Sequence, residues 1–228
     1  MQTVKKLYRS TYTGEHVVTN ATYENSKWTH NNEWIPSGVE NIHTTTQALI
    51  IGGGSSWQEG FSKFNLNHIK NHKGGLLGVN RLQTYGTNRL YKQYSPDFLI
   101  IDDNEADDIV TDGYFFNHIV YAHAPQILKY PGKFYLIPQD PSWNAGAVAA
   151  YMACFDGHKK VYLMGFDGQQ GDDAFYEKAM LEVFKLYPDV EFIRVCPTPY
   201  YYMPESWKYA VNLRQVDFRG FVLEADIG

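Results

Sequence analysis

The sequence predicts an α/β fold: a Rossmann-like, mostly parallel sheet with helices on both faces, led by an N-terminal β-rich extension. Three observations carry that expectation. From residue 47 onward, short apolar runs of β character alternate with stretches of helical periodicity, and strands that alternate with helices build parallel sheets covered on both sides. The run Ala48-Leu-Ile-Ile51 passes straight into Gly52-Gly-Gly-Ser-Ser56, which reads as a buried strand, a tight turn and the start of a helix. The stretch Ala145 to Phe155 is apolar almost all round, the pattern of a helix buried on every face. The expected organisation is an extension over residues 1–46 and the Rossmann-like domain over 47–228.

In chain order, the extension is rich in Thr, Asn, Tyr and His, with a hairpin expected from Leu7–Tyr12 and His16–Thr19 through Thr13-Gly14-Glu15. It has two places to pack, the sheet edge or a neighbouring subunit, the second giving a homo-oligomer. Strand 48–51 follows, then an irregular helical face from Trp57 to His72, capped by Ser55 or Ser56. Gly75 to Asn80 reads as a second strand, Leu90 to Tyr94 as a short helix and Asp97 to Asp102 as a third strand. Residues 114–130 fit helix or strand equally, and Lys133 to Pro138 is a strand closed by proline. Asn144 caps the apolar helix and Gly157 stops it. Strand Lys160–Gly165, the amphipathic helix Asp173–Tyr187 and strand Val190–Val195 come next, with Phe218–Glu224 as a last strand.

Composition narrows the function classes. A net charge of -5 without a long basic run argues against nucleic acid, which needs a positive face. The two cysteines, Cys154 and Cys196, lie in apolar surroundings and read as reduced core thiols of a cytoplasmic protein. Met-Gln-Thr-Val-Lys-Lys at the start has no apolar stretch behind it, and no apolar run is long enough to span a membrane, so neither a signal peptide nor a transmembrane segment is expected.

Ligands of open parallel sheets bind outside the carboxyl ends of the strands. The positions to inspect are therefore Gly52–Ser56, Asn80, Asp102 and Asp103, Gln139–Asn144, Asp167 and Gly168, and Pro197–Tyr202. The glycine turn aims backbone N–H groups and the positive end of a helix at one point, which suits a phosphate, and three consecutive glycines exceed what a simple turn requires. Trp57 stands where the dinucleotide fingerprint needs its third glycine, and Asn80 where it wants an acid, so NAD is not expected. No Gly-Lys-Ser/Thr follows, so the turn is not a P-loop. PLP is not expected either.

Three blocks, in order across residues 47–196, resemble the bacterial CMP-sialic acid-dependent sialyltransferases and the related hydroxymethyl-dihydropterin pyrophosphokinases and motility-associated glycosyltransferases. That group has a strand followed by Gly-Asn-Gly-Pro-Ser-Leu, matched by Gly52-Gly-Gly-Ser-Ser-Trp57. A second strand ends in Asn, matched by Asn80. An apolar helix opening on Ser-Gly leads to a strand and Gly-x-Asp, matched by Ala145-Gly146 and Gly165-Phe-Asp167. The resemblance implies that Gly52, Gly54 and Ser56 wrap the nucleotide phosphates and that Asn80 touches the ribose or the transferred group. It also implies that Gly146 sits beside the nucleotide and that Asp167 binds its sugar or base. Gly53, Ser55 and Asn144 complete the candidate nucleotide-binding set.

The resemblance implies a nucleotide-dependent transferase, foremost a glycosyltransferase with a CMP-sialic acid-like donor and a small-molecule or glycan acceptor. The alternatives are an ATP-dependent pyrophosphokinase and a non-catalytic nucleotide- or glycan-binding protein. Gly53 replaces the group's Asn and Ser55 its Pro, and the late histidine base of the sialyltransferases has no counterpart, since no histidine follows His158. Tyr200, Tyr201 and Tyr202 stand in that region, and an ordinary tyrosine, with a pKa of about 10, is a poor base at neutral pH. That leaves as base His118 or His123, the adjacent carboxylates Asp102 and Asp103, of which Asp103 is favoured, or no base at all. Asp102 and Asp103 are also the candidate ligands of Mg2+, the one cofactor in view. His68 and His72, four residues apart, read as exposed helix histidines. The three tyrosines suit stacking on a sugar, pterin or base and, equally, packing of the loop on its own sheet.

Overall fold

The computed structural model describes residues 2–9, 16–25, 27–30, 33–34, 40–42, 47–63, 82–138, 141–167 and 174–227. Among the described residues, twelve strands form one sheet in the order β12-β11-β10-β5-β6-β7-β8-β9-β1-β2-β3-β4. In chain order these are β1 (Gln2–Arg9), β2 (His16–Glu24), β3 (Lys27–His30), β4 (Glu33–Trp34), β5 (Gln47–Ile51), β6 (Leu82–Thr87), β7 (Phe98–Ile100) and β8 (Ile119–Ala122). Then come β9 (Tyr135–Leu136), β10 (Lys160–Met164), β11 (Glu191–Cys196) and β12 (Leu213–Asp217). The helices are α1 (Ser56–Lys63), α2 (Ala106–Thr111), α3 (Ala124–Lys129), α4 (Ala145–Phe155), α5 (Ala174–Leu186) and α6 (Phe218–Glu224).

From β12 through β9 every neighbouring pair is parallel, and β1 to β4 are antiparallel among themselves. The chain builds outward from β5 through β6 to β9, then returns to lay β10 along the other side of β5, with Met164 level with Ile51. The strand order therefore reverses between β5 and β10, and their carboxyl ends splay around the place where such sheets bind ligands.

Side chains of β5 alternate between the two faces, as a strand requires. Ala48 and Ile50 pack with α4, Met180 and Val183 of α5, and Phe192. Leu49 and Ile51 pack with Tyr162, Met164 and, from α6, Phe218 and Phe221. Helix α4 is apolar all round because it lies between the sheet and α5, with every residue from Ala147 to Phe155 buried. A third cluster joins β7, β8 and β9 to α2, α3 and to Ala21 and Trp28 of the extension. The extension thus packs on the sheet edge, β1 running parallel to β9 at Leu7 and Tyr135. The hairpin strands pair as expected; the turn at residues 13–15 lies outside the described residues.

Several elements differ from expectation. Phe218–Glu224 is a helix, because Asp217 caps it by accepting the Gly220 N–H at 2.7 Å and Phe218 and Phe221 share its buried side. The last strand is instead β12, just before it. Residues 114–130 hold both structures in turn, β8 and then α3, after a 3-10 turn at Tyr114–Phe116. Residues 88–92 form a 3-10 turn where a short helix was expected over 90–94. The expected strand Gly75–Asn80 lies outside the described residues, and β5 pairs instead with Leu82–Thr87. Among the described residues, no helix is long and apolar enough to cross a membrane.

Candidate functional site

The glycine turn after β5 is pressed against the turn after β10. A Cβ on Gly52 would sit 2.8 Å from the Gly165 carbonyl oxygen, and one on Gly165 would sit 2.8 Å from the Gly52 carbonyl oxygen. Gly165 also has φ +74°, a conformation that glycine adopts freely. A Cβ on Gly54 would meet the Asp167 carboxylate at 2.6 Å. The two turns are laced together: Gly52 N–H donates to Met164 O, Gly54 N–H to Gly165 O, both 2.8 Å, and Ser56 N–H to Asp167 Oδ2 at 2.9 Å.

These three amides, assigned to phosphate by the resemblance, are therefore engaged by protein. Two of the glycines serve close backbone approach; Gly53, with open space where its Cβ would be, is the one that faces outward. Among the described residues, the Gly53 and Ser55 N–H groups have no protein partner. Ser56 is the first residue of α1, and its buried Oγ has no partner among the described residues, so the capping position belongs to Ser55, whose carbonyl accepts the Gln58 N–H.

The second wall is the start of α4. Asn144 sits in extended backbone and its Oδ1 accepts the Ala147 N–H at 3.0 Å, as its sequence position predicts. The Ala145 N–H donates to Asp102 Oδ1 at 2.8 Å. Asp102 Oδ2 accepts from Asn88 Nδ2 at 2.9 Å, and Asn88 Oδ1 accepts the Asp102 N–H at 2.9 Å. Asp102 thereby fastens the end of β7 to the end of β6 and to the head of α4. Both its oxygens are committed to N–H donors, which suits a fastener better than a metal ligand. In the first turn of α4 the Gly146 N–H alone is left without a protein partner among the described residues.

These walls enclose a cavity of about 320 Å³, lined by the three glycines, Thr87, Asn88, Asp102, Asn144–Gly146, Gly165–Asp167 and Tyr176. Asp167 is 8% exposed, and among the described residues its Oδ1 has no hydrogen-bond partner. The arrangement offers a ligand two different things: a spare N–H at the positive end of a buried helix, and a buried carboxylate oxygen short of a donor.

The structure therefore brings together Gly52, Gly53, Gly54, Asn144, Gly146, Asp167 and Asp102. Ser55 and Ser56 flank the turn. Asn80 lies outside the described residues; the asparagine at the cavity is Asn88. Asp103 opens a 3-10 turn directly after Asp102. Neither His118 nor His123 lines the cavity. His118 stacks on Tyr114 with ring centroids 3.9 Å apart and bonds its carbonyl, and His123 occupies the capping position of α3. His68 and His72 lie outside the described residues. Burial pushes the Cys154 thiol well up and Cys196 up to about 11, in keeping with inert core thiols.

Sequence reasoning missed Thr87, Asn88, Phe166 and Tyr176. Asn88 has φ +48°, left-handed backbone in which asparagine is enriched. An Asn at the end of a polar strand was the available signal.

Among solved structures, the chain is similar to the sialyltransferase CstII from Campylobacter jejuni, solved in complex with a substrate analogue, cytidine-5′-monophosphate. The identity is 13%, 67% of this chain and 80% of that chain are covered, and the TM-score is 0.42. No family model matches the chain, and no curated protein matches it.

Proposed function

We propose that the crevice between β5 and β10 binds a nucleotide and that the chain is a nucleotide-sugar-dependent glycosyltransferase with a CMP-sialic acid-like donor. The observation that carries the binding part is the pairing of Gly146 N–H and Asp167 Oδ1 in one cavity. A phosphate fits the first, because an unengaged amide at a helix start attracts anions. A ribose hydroxyl or base amine fits the second, because a buried acceptor left unpaired costs about 1–3 kcal/mol that a ligand donor recovers. At about 320 Å³ the cavity lies at the small end of ligand pockets, which suits a mononucleotide. The glycosyl-transfer part rests on the ordered motif resemblance.

In this reading Asp103 is the base that takes the acceptor proton, because it follows Asp102 at the same strand end.

Calorimetry with CMP, CDP, UDP, GDP, ATP and their sugars tests the reading. One nucleotide class should bind, and Asp167→Asn should weaken it about ten- to hundredfold at unchanged melting temperature, because an amide N–H would meet the ligand's own donor. Asp103→Asn should slow turnover at least tenfold with donor affinity kept. Binding of ATP alone, dependent on added Mg2+, would favour the pyrophosphokinase. Equal affinity in Asp167→Asn and wild type would remove the crevice as the nucleotide site.

A further inference from the structure

Arg194 lies in the middle of β11 with 0% exposure, and among the described residues no carboxylate is within ion-pair distance of it. A buried charge without a paired charge costs several kcal/mol unless hydrogen bonds replace its water, so its partners say what it is for. Nε donates to the Phe166 carbonyl at 2.8 Å and Nη2 to the Asp167 carbonyl at 2.7 Å. Nη1 donates to the Tyr202 carbonyl and, at 3.0 Å, to Gln215 Oε1. Gln215 is its register partner on β12. Gln215 Nε2 in turn donates to the carbonyls of Pro199 and Tyr201 at 3.0 and 3.2 Å. The Tyr201 ring lies 5.7 Å from the guanidinium carbon, closing the near side.

We propose that Arg194 and Gln215 form a clasp that couples the tyrosine-bearing loop 199–202 to the Asp167 turn, and that both are positioning residues of the crevice. The guanidinium fork suits the task, since its donors lie in one plane and reach two loops at once, which a lysine ammonium cannot do. Through it, the loop that carries Tyr200, Tyr201 and Tyr202 and the turn that carries the ligand-facing carboxylate share one rigid anchor. Asp167 then keeps Oδ2 on the Ser56 N–H and Oδ1 free for a ligand. Burial and the nearby Asp167 charge both push the Tyr201 hydroxyl pKa up. The inference deepens the nucleotide-site reading and rests on it for the ligand alone, not for the coupling.

The test is Gln215→Ala, on a half-buried edge-strand residue that does not touch the cavity, with Arg194→Lys as the second variant. Amide hydrogen exchange in the unliganded protein reads the coupling. Gln215→Ala should speed exchange at Gly54 and Ser56 at least fivefold, while β5 and α4 keep their protection. CMP, or whichever nucleotide of the panel binds the wild type, should bind at least fivefold more weakly. Exchange that rises only within residues 197–204, or unchanged exchange at Ser56 in a folded Arg194→Lys, would overturn the clasp. A wild type that binds no nucleotide, with Ser56 exchange still raised in Gln215→Ala, would sustain the clasp and overturn the nucleotide reading.

Discussion

Helix α4 has a polar cluster at each end. At its carboxyl end, Tyr85 donates to Asp156 Oδ2 at 2.5 Å, and His158 Nε2 lies 3.1 Å from both the Tyr85 hydroxyl and Gln83 Oε1. These four residues are at most 2% exposed. At its amino end, Asn88, Asp102, Asn144 and Asp167 are just as polar, yet they open on a cavity and leave a backbone donor and a carboxylate oxygen over. The same helix is thus packed shut at one end and opens on a cavity at the other. Polarity inside the core does not mark a site; unfilled hydrogen-bonding capacity beside open space does.

The sharpest way to break this contrast is Gly54→Val. Its Cβ would overlap the Asp167 carboxylate and the Gly165 carbonyl, so nucleotide binding should vanish in calorimetry. Overpacking should also lower stability by about 1–3 kcal/mol in denaturant titration. Retained affinity would mean that the two turns do not frame the site.

Asp156→Ala probes the other end. It strips the Tyr85 hydroxyl of a buried partner and should cost about 1–3 kcal/mol of stability, with nucleotide affinity within twofold of wild type. A larger loss of affinity would show that the closed end reaches the crevice. The smallest effect is on the thiols, one at each end: Cys154 in the last turn of α4 and Cys196 ending β11. A raised thiol pKa lowers the thiolate fraction at a given pH, and the thiolate is the reactive form. Neither should react with a disulfide reagent at pH 8 in the native protein, and Cys196 should label before Cys154 as the pH is raised. The reverse order would place the looser packing at the closed end.

The sheet was legible where strands are apolar. Ala48–Ile51, Lys160–Met164 and the head of α4 at Asn144 stand as their residues predict, because burial on both faces demands uninterrupted hydrophobic runs. Strand β6, Leu-Gln-Thr-Tyr-Gly-Thr, carries no such pattern although all six residues are buried. Its polar groups are satisfied by distant partners: Gln83 by His158, Thr84 by Asp97 and Thr87 by the Ile51 carbonyl. No local rule reveals such partners, and Asn88, one residue further on, was hidden with them. Phe218–Glu224 misled in the opposite sense, because two phenylalanines, a valine and a leucine look like a strand until Asp217 is recognised as a cap. Arg194 was invisible for the same reason as β6, since its worth lies in carbonyls of two loops that only the fold brings near.

The lacing of Ser56 to Asp167 joins positions 111 residues apart. During synthesis at roughly 5–20 residues per second, the glycine turn waits about 5–20 s for its counterpart to be made. Through that interval the side of β5 reserved for β10 is an open edge of Ala, Leu and Ile, the kind of edge that pairs with strangers. A nascent chain ending before residue 160 would carry the glycine turn and no crevice.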